Sequence, residues 1–213
     1  MVVYPQGIKY LPVSSGFQSA SLYMYFDGTR HELNGAFGTF SIDAVAGNYA
    51  TIKFSFTGQY VALVDAAIPA TTQETTLPAV VELAQLILGN NTFQPTVDKF
   101  TYDQANTITP RPDVNSSNGY NGVRLTDRKP KGGIDPEATL VADYDWWATF
   151  AASTSTALTI RIGSTAGNRI LLNAPAVQYT GLTYADRSGI RTYAAGLDFV
   201  GVSGDDEFEM VFA

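Results

Sequence analysis

The sequence predicts a mainly β protein: antiparallel sheets packed as a β-sandwich or half-barrel, with one or two short helices. Three observations predict it. Apolar residues alternate with polar ones in short runs rich in β-branched and aromatic types, as a half-buried pleated surface requires. Gly, Asn and Asp punctuate those runs, as at Ala46-Gly47-Asn48 and Ala166-Gly167-Asn168. And 45% hydrophobic with 12% aromatic residues in a chain of 213 supplies enough apolar surface for a real core.

The elements follow in order. Ile52, Phe54 and Phe56 alternate with Thr51, Lys53, Ser55 and Thr57; Leu158, Ile160 and Ile162 with Thr159 and Arg161; Phe208, Met210 and Phe212 with Glu207 and Glu209. Shorter strand candidates are Leu22–Phe26, Phe37–Asp43, Lys99–Tyr102, Gly122–Thr126, Ala176–Tyr179 and Tyr193–Val202. Two helices are expected. Asp143 is placed to cap Tyr144–Ala152, its carboxylate accepting from first-turn amides. Ala79–Leu88 starts after Pro78 and ends before Gly89, and its apolar residues nearly encircle it. A faint repeat relates Phe40-Ser41-Ile42 and Ala46-Gly47-Asn48 to Ile160-Arg161-Ile162 and Ala166-Gly167-Asn168, each reading as strand, Gly-Asn turn, strand. Chance composition and a duplicated half-domain both explain it. The division expected is residues 1–106 and 137–213 as two tube-like halves of one compact unit, joined by a long Pro- and Gly-rich basic loop, 107–136.

Charge separates along the chain. Thirteen basic and 20 acidic side chains give a net charge of −7, and 15% charged residues is a low share. Arg111, Arg124, Arg128, Lys129 and Lys131 concentrate in the Pro-rich stretch, whereas Asp198–Ala213 holds five acids and no base. Such a distribution suits self-association, and those five cations are the candidate contacts between subunits or rings. The acidic balance argues against tight nucleic-acid binding, which depends on cations displacing phosphate counterions.

Catalytic and metal chemistry finds little to work with. The chain has no Cys, which excludes disulfides and thiolate metal sites, and its single His31 excludes multi-histidine sites. No second His completes a zinc pair with His31-Glu32, and no G-x-S-x-G elbow is present. Gly163–Asn168 lacks the Lys of a phosphate loop and reads as a hairpin turn. Asp205-Asp206-Glu207 has the oxygens for a hard cation but reads better as a solvated turn. Trp146-Trp147 offers stacking surface for a sugar or base; packing in a core or interface is favoured. No enzyme, cofactor or metal is expected. Met1–Pro12 has no apolar core of a signal peptide, and no run is long enough for a membrane span, so a soluble protein made in a cytosol is expected. Asn90-Asn91-Thr92 and Asn115-Ser116-Ser117 are read as turns.

Several blocks are more specific than their composition. Val97-Asp-Lys-Phe-Thr-Tyr-Asp-Gln-Ala-Asn106, Val114-Asn115, Gly119-Tyr-Asn-Gly-Val-Arg124-Leu-Thr-Asp-Arg128-Lys-Pro130 and Ile134-Asp-Pro-Glu137 follow one another in fixed order. Later come Gly167-Asn-Arg169, Ala174-Pro175, Val177-Gln-Tyr179, Tyr184-Ala-Asp-Arg187-Ser-Gly-Ile190 and Gly204-Asp-Asp-Glu207-Phe-Glu-Met-Val-Phe212. Together they resemble the tail tube proteins of long-tailed, non-contractile (siphovirus-type) bacteriophages; Gly35–Gly58 fits more loosely. The resemblance implies β-sheets packed at a steep angle beside a helix. It also implies sixfold or pseudo-sixfold trimeric rings, stacked head to tail in the virion, that complete a large β-barrel tube. Its implied partners are further copies of the chain and other tail proteins (tape measure, tail terminator, distal tail). DNA would pass through an acidic lumen without specific binding, and no membrane is involved.

The residue-level reading agrees: ring closure removes exposed sheet edges. About 24 strands spaced ~4.8 Å and tilted ~40° would enclose a bore of roughly 38 Å, wide enough for duplex DNA. Two other readings stay open here: another phage structural protein (minor tail or decoration protein), and a β-sandwich carbohydrate-binding module or hydrolase using Trp146, Trp147, Asp143 and Asp145.

Overall fold

The computed structural model describes residues 7–82, 84–89 and 92–213. Its strands are β1 (Ile8–Tyr10), β2 (Ala20–Phe26), β3 (Thr29–Val45), β4 (Thr51–Asp65), β5 (Gln85–Leu88), β6 (Lys99–Asp103), β7 (Asn106–Pro112), β8 (Tyr120–Arg128) and β9 (Lys131–Ile134). The helix α1 (Trp146–Ala151) comes next, followed by β10 (Thr156–Ile162), β11 (Ile170–Arg187), β12 (Ile190–Val200) and β13 (Glu209–Phe212). The protein is therefore mainly β and antiparallel, with one short helix among the described residues. Eleven strands form one unclosed sheet in the order β1-β13-β11-β12-β9-β6-β3-β2. β10 lies along the other side of β11, β5 beyond β10, and β4 along the other side of β3. β7 and β8 make a separate ribbon.

Two tight turns set the register of this sheet. Asp27 and Gly28 between β2 and β3 have φ of 38° and 83°, and Ser188 and Gly189 between β11 and β12 have φ of 55° and 86°. Two successive positive φ values match the right-handed twist of the flanking strands, which is why short polar or Gly residues stand there. The strands are longer than simple alternation allows, because bulges restart it. One falls between Asn34 and Phe37 of β3, another between Tyr179 and Gly181 of β11.

The two faces of the sheet differ sharply. In register across six strands run Ile52, Ile42, Tyr102, Gly132, Leu197 and Tyr179, which share the core face. Tyr102 is fully buried, stacked on Phe208 with ring centroids 3.8 Å apart and edge-on to Phe199 at 4.9 Å. Its hydroxyl bonds Gln104, and burial first, then the nearby Glu207 charge, push its ionisation far above the ordinary range. Gly132 is required by proximity: a Cβ there would stand 2.2 Å from the Thr101 carbonyl oxygen. At the other end of the core Trp146 is buried among Phe93, Tyr144, Tyr179 and Tyr193, its indole N–H donating to Thr139 Oγ1 at 3.1 Å. Such packing of large rings supplies the dominant burial term.

Two expected helices are corrected. The first starts later than expected and is capped by Asp145, whose carboxylate accepts from the Ala148 amide at 2.8 Å; Asp143 sits in the preceding turn. Tyr144 lies outside the helix, its ring stacked on Phe93 with 4.6 Å between centroids. The second is not a helix. Gln85–Leu88 is β5, paired with β10 through Leu88↔Leu158 and Leu86↔Ile160, and Val80 bridges to Tyr49. Apolar density alone does not separate a buried strand from a helix, and the open edge of β10 decided. Leu83 of that run, Asn90-Asn91 of the expected turn and Met1–Gln6 of the N-terminal stretch lie outside the described residues.

The stretch expected as a long connecting loop folds as the β7–β8 ribbon followed by β9. Pro110 pairs with Val123 on a ribbon whose two strands are both edges, where a missing N–H is tolerated. The repeated motif does fold twice as strand, turn, strand: β3 into β4 and β10 into β11.

Candidate assembly surfaces

The five cations singled out by sequence divide in two. Arg128 turns inward: its Nε donates to Glu207, Nη2 to Asp205 Oδ1 at 3.0 Å, and Nη1 to the Val13 carbonyl at 2.7 Å. Asp205 Oδ2 in turn accepts from the Ser14 amide at 3.0 Å, and its Oδ1 from the Ser14 hydroxyl. One guanidinium thus fastens the base of β8, the segment before β13 and the strap 11–19 together. Burial opposes the charge on Arg128, but its bonds to Asp205 and Glu207 outweigh that and hold its pKa above the ordinary value. The Ser14 hydroxyl, then Arg128, hold the Asp205 carboxyl below the usual carboxylate range.

The other cations remain on the surface. Lys129 pairs with its neighbour Asp127 at 3.0 Å, an exposed contact of little energetic weight. Arg111 and Arg124 stand exposed on the β7–β8 ribbon, with no ion pair among the described residues. Lys131 lies on β9 opposite Asp103 and Asp198. The three acids read as a solvated turn are instead partners: two hold Arg128, while Asp206 accepts from the amides of Val202 and Ser203 at 2.8 and 3.0 Å.

A second surface escaped the sequence reading. β4 runs for 15 residues and pairs, among the described residues, with β3 alone. Its outer edge is a row of backbone donors and acceptors without a ladder, and such edges invite another chain. The side chains beside it are apolar and open: Phe54 is 63% exposed and Tyr60 71%, with Leu63 and Val64 also exposed. Next to Phe54 and Phe56 a groove of about 610 Å³ separates β4 from β1 and β13; Tyr10, Phe17, Leu125 and Phe212 line its far side. The groove is the mouth of the half-barrel, where the curled sheet fails to meet itself. Alternation puts Phe54 and Phe56 on the apolar side of a half-buried strand; only the topology shows that this side has no lid here.

The remaining sequence candidates fall into place. His31 is exposed on β3, edge-on to Phe26 at 5.6 Å. Gly163–Asn168 lies in the β10–β11 turn, where Asn168 donates to the Leu77 carbonyl at 3.0 Å. Trp146 is core, and Trp147 rests partly exposed against Tyr184 and Tyr193. Among the described residues no three acidic or imidazole groups cluster as metal ligands, and no helix is long and apolar enough to cross a membrane.

An unclosed antiparallel sheet with its longest edge strand bare defines a mainly β protein with a free edge. A family model described as phage tail tube protein matches residues 7–204, and the chain belongs to that family. No curated protein matches it. Membership places the protein in the phage tail, in a structural role that involves self-assembly with other tail components.

Proposed function

We propose that copies of this chain close into rings that stack head to tail, forming the tube of a long-tailed, non-contractile phage through which DNA passes to the host. The observation that carries this reading is the bare 15-residue edge of β4 with its exposed aromatic side chains. Monomeric proteins blunt or cover such edges; a ring leaves none. The neighbour's strand would extend the sheet past β4 and its side chains would close the apolar groove. Two tube-like halves, 1–106 and 137–213, joined by 107–136, fit the twice-folded repeat. Arg111 and Arg124 on the exposed ribbon, with Lys129 and Lys131 beside its base, serve contacts between rings. Arg128 supports those contacts indirectly, by fixing the base of the ribbon. The chain functions without catalysis. The lumen in this reading is acidic, so that DNA slides past it and is not bound.

Negative-stain electron microscopy of the purified protein tests the reading. A permanent ring contact buries more than about 2,000 Å², so rings or tubes are expected. A monomer that stays monomeric at high concentration and at every ionic strength would refute it.

A further inference from the structure

The chain contains three Asn-Gly steps, Asn34-Gly35, Asn118-Gly119 and Asn121-Gly122. The last two belong to the β7–β8 ribbon and its tip. Asn-Gly is a labile dipeptide, because glycine has no Cβ to keep its backbone nitrogen away from the preceding side-chain carbonyl. The three steps stand in different surroundings. Asn34 is half-buried where β3 has β2 on one side and β4 on the other, and its Nδ2 donates to Glu32 Oε1 at 2.8 Å. Asn118, in the turn at the ribbon tip, is exposed but held. Its Oδ1 accepts from the Ser116 hydroxyl at 2.7 Å and from the Tyr120 amide at 3.3 Å. The nitrogen that would attack it is engaged too, since the Gly119 amide donates to the Ser116 carbonyl at 3.0 Å.

Asn121 has none of these side-chain restraints. It is exposed, and among the described residues its side chain has no hydrogen-bond partner. It sits in a bulge of the ribbon: Pro112 pairs with Tyr120 and Pro110 with Val123, so Asn121 and Gly122 together face Arg111 alone. Gly122 has φ of 75°, far from the extended values of a strand. The ribbon is a sheet of two strands, so opening the bulge disturbs no further ladder. The outer part of the ribbon also has little charge to spare. Arg111 and Arg124 stand against Asp113, a surplus of one positive charge, while Arg128 and Asp127 are paired at its base.

We propose that Asn121 is a deamidation site, selected by the fold over Asn118 and Asn34, and that the carboxylate formed there cancels the surplus charge of the ribbon. The Gly122 nitrogen attacks Asn121 Cγ. A C–N bond forms, the Cγ–Nδ2 bond breaks, and ammonia leaves with the proton given up by the Gly122 amide. The resulting five-membered succinimide is opened by water at either carbonyl, giving aspartate or isoaspartate. One water enters and one ammonia departs, so no oxidant or reductant is needed. The new carboxyl is ionised at neutral pH, because its ordinary pKa is about 3.9. It lies across the ribbon from Arg111 and along β8 from Arg124. The site assignment stands on the ribbon alone. Its consequence rests on the tube reading, in which Arg111 and Arg124 meet the next ring: subunits that wait unassembled lose stacking strength as they age.

Wild-type subunits kept below the assembly concentration are aged in warm, mildly alkaline buffer, and aspartate and isoaspartate at each Asn are measured by peptide mass spectrometry. Conversion at Asn121 should exceed that at Asn118 and at Asn34 at least about tenfold, the factor set by the hydrogen bonds that must break at the other two sites. The chain aged in denaturant should lose that difference. Comparable conversion at Asn118, no conversion at Asn121, or a preference that persists in denaturant would each overturn the site assignment. In a second arm Asn121→Asp, which carries the product charge, is compared with Asn121→Gln, which keeps the amide and is slow to cyclise. At low ionic strength Asn121→Asp should give shorter tubes than Asn121→Gln, and the difference should vanish at high salt. Equal lengths at low salt would overturn the charge consequence. Absence of tubes from the wild-type chain would fail the tube reading instead, and the ageing measurement would still decide the site.

Discussion

The two hairpins that carry the repeated motif were given the same local instructions and reached different ends. β3–β4 and β10–β11 both pass through an Ala-Gly-Asn turn. β11 is flanked by β10 on one side and by β12 and β13 on the other, with α1 laid across its apolar face. β4 pairs with β3 alone among the described residues, touches the ribbon where Gln59 Nε2 donates to the Tyr120 carbonyl at 3.2 Å, and leaves most of its side chains exposed. The C-terminal hairpin is finished within the chain; the N-terminal one is left open, and in the proposed tube another copy finishes it. Local sequence sets which residues face in, and topology sets whether anything is there to meet them.

Substitutions should separate the two regions. In the finished region Trp146→Ala removes the ring at the centre of an aromatic cluster and should destabilise the monomer by about 4 kcal/mol, read by chemical denaturation. In the open region Phe54→Glu with Phe56→Glu should leave monomer stability within about 1 kcal/mol. The same pair should raise the concentration needed for assembly at least about 100-fold, or ~2.7 kcal/mol, read by light scattering. Equal damage to folding from both would erase the distinction.

Arg128 lies between these extremes. Arg128→Ala leaves Glu207 nearly buried without its partner and should cost about 2–3 kcal/mol. The contact also predicts an acid limb. Asp205 has a folded pKa below its unfolded value, so its stabilisation is complete above the ordinary carboxylate pKa of ~3.9 and fades as pH falls through the lower folded value. The strap at Ser14 should hold at pH 7 and loosen below about pH 4, and Asp205→Asn should flatten that limb in a melting-versus-pH series. Smallest of all, Arg111→Ser with Arg124→Ser should leave melting unchanged and shorten tubes, most visibly at low ionic strength.

The strands were legible because alternation is local: Ile52–Phe56, Leu158–Ile162 and Lys99–Tyr102 all lie in strands, with the apolar side buried in the last two and left open at Phe54 and Phe56 in the first. Their lengths were not, because the bulges near Gly35 and Gly181 restart the alternation, so only Phe37–Asp43 of β3 and Ala176–Tyr179 of β11 stood out. The Ala79–Leu88 helix failed because a nearly all-apolar run has no period to read. The role of Arg128 was hidden by distance: Asp205 and Glu207 are 77 and 79 residues away. The basic stretch and the acidic end were seen as complementary, but part of that attraction is satisfied inside one chain. The bare edge of β4 was illegible, since an edge is a property of neighbours that no single strand encodes.

Amide hydrogen exchange along β4, in dilute monomer and in assembled tubes, tests most directly whether a neighbour completes this strand. Amides of Thr51–Asp65 that exchange readily in the monomer should become protected in tubes, while β11 and β12 stay protected in both. Protection of the whole of β4 in the monomer, or continued exchange of its outer amides in well-formed tubes, would contradict the account.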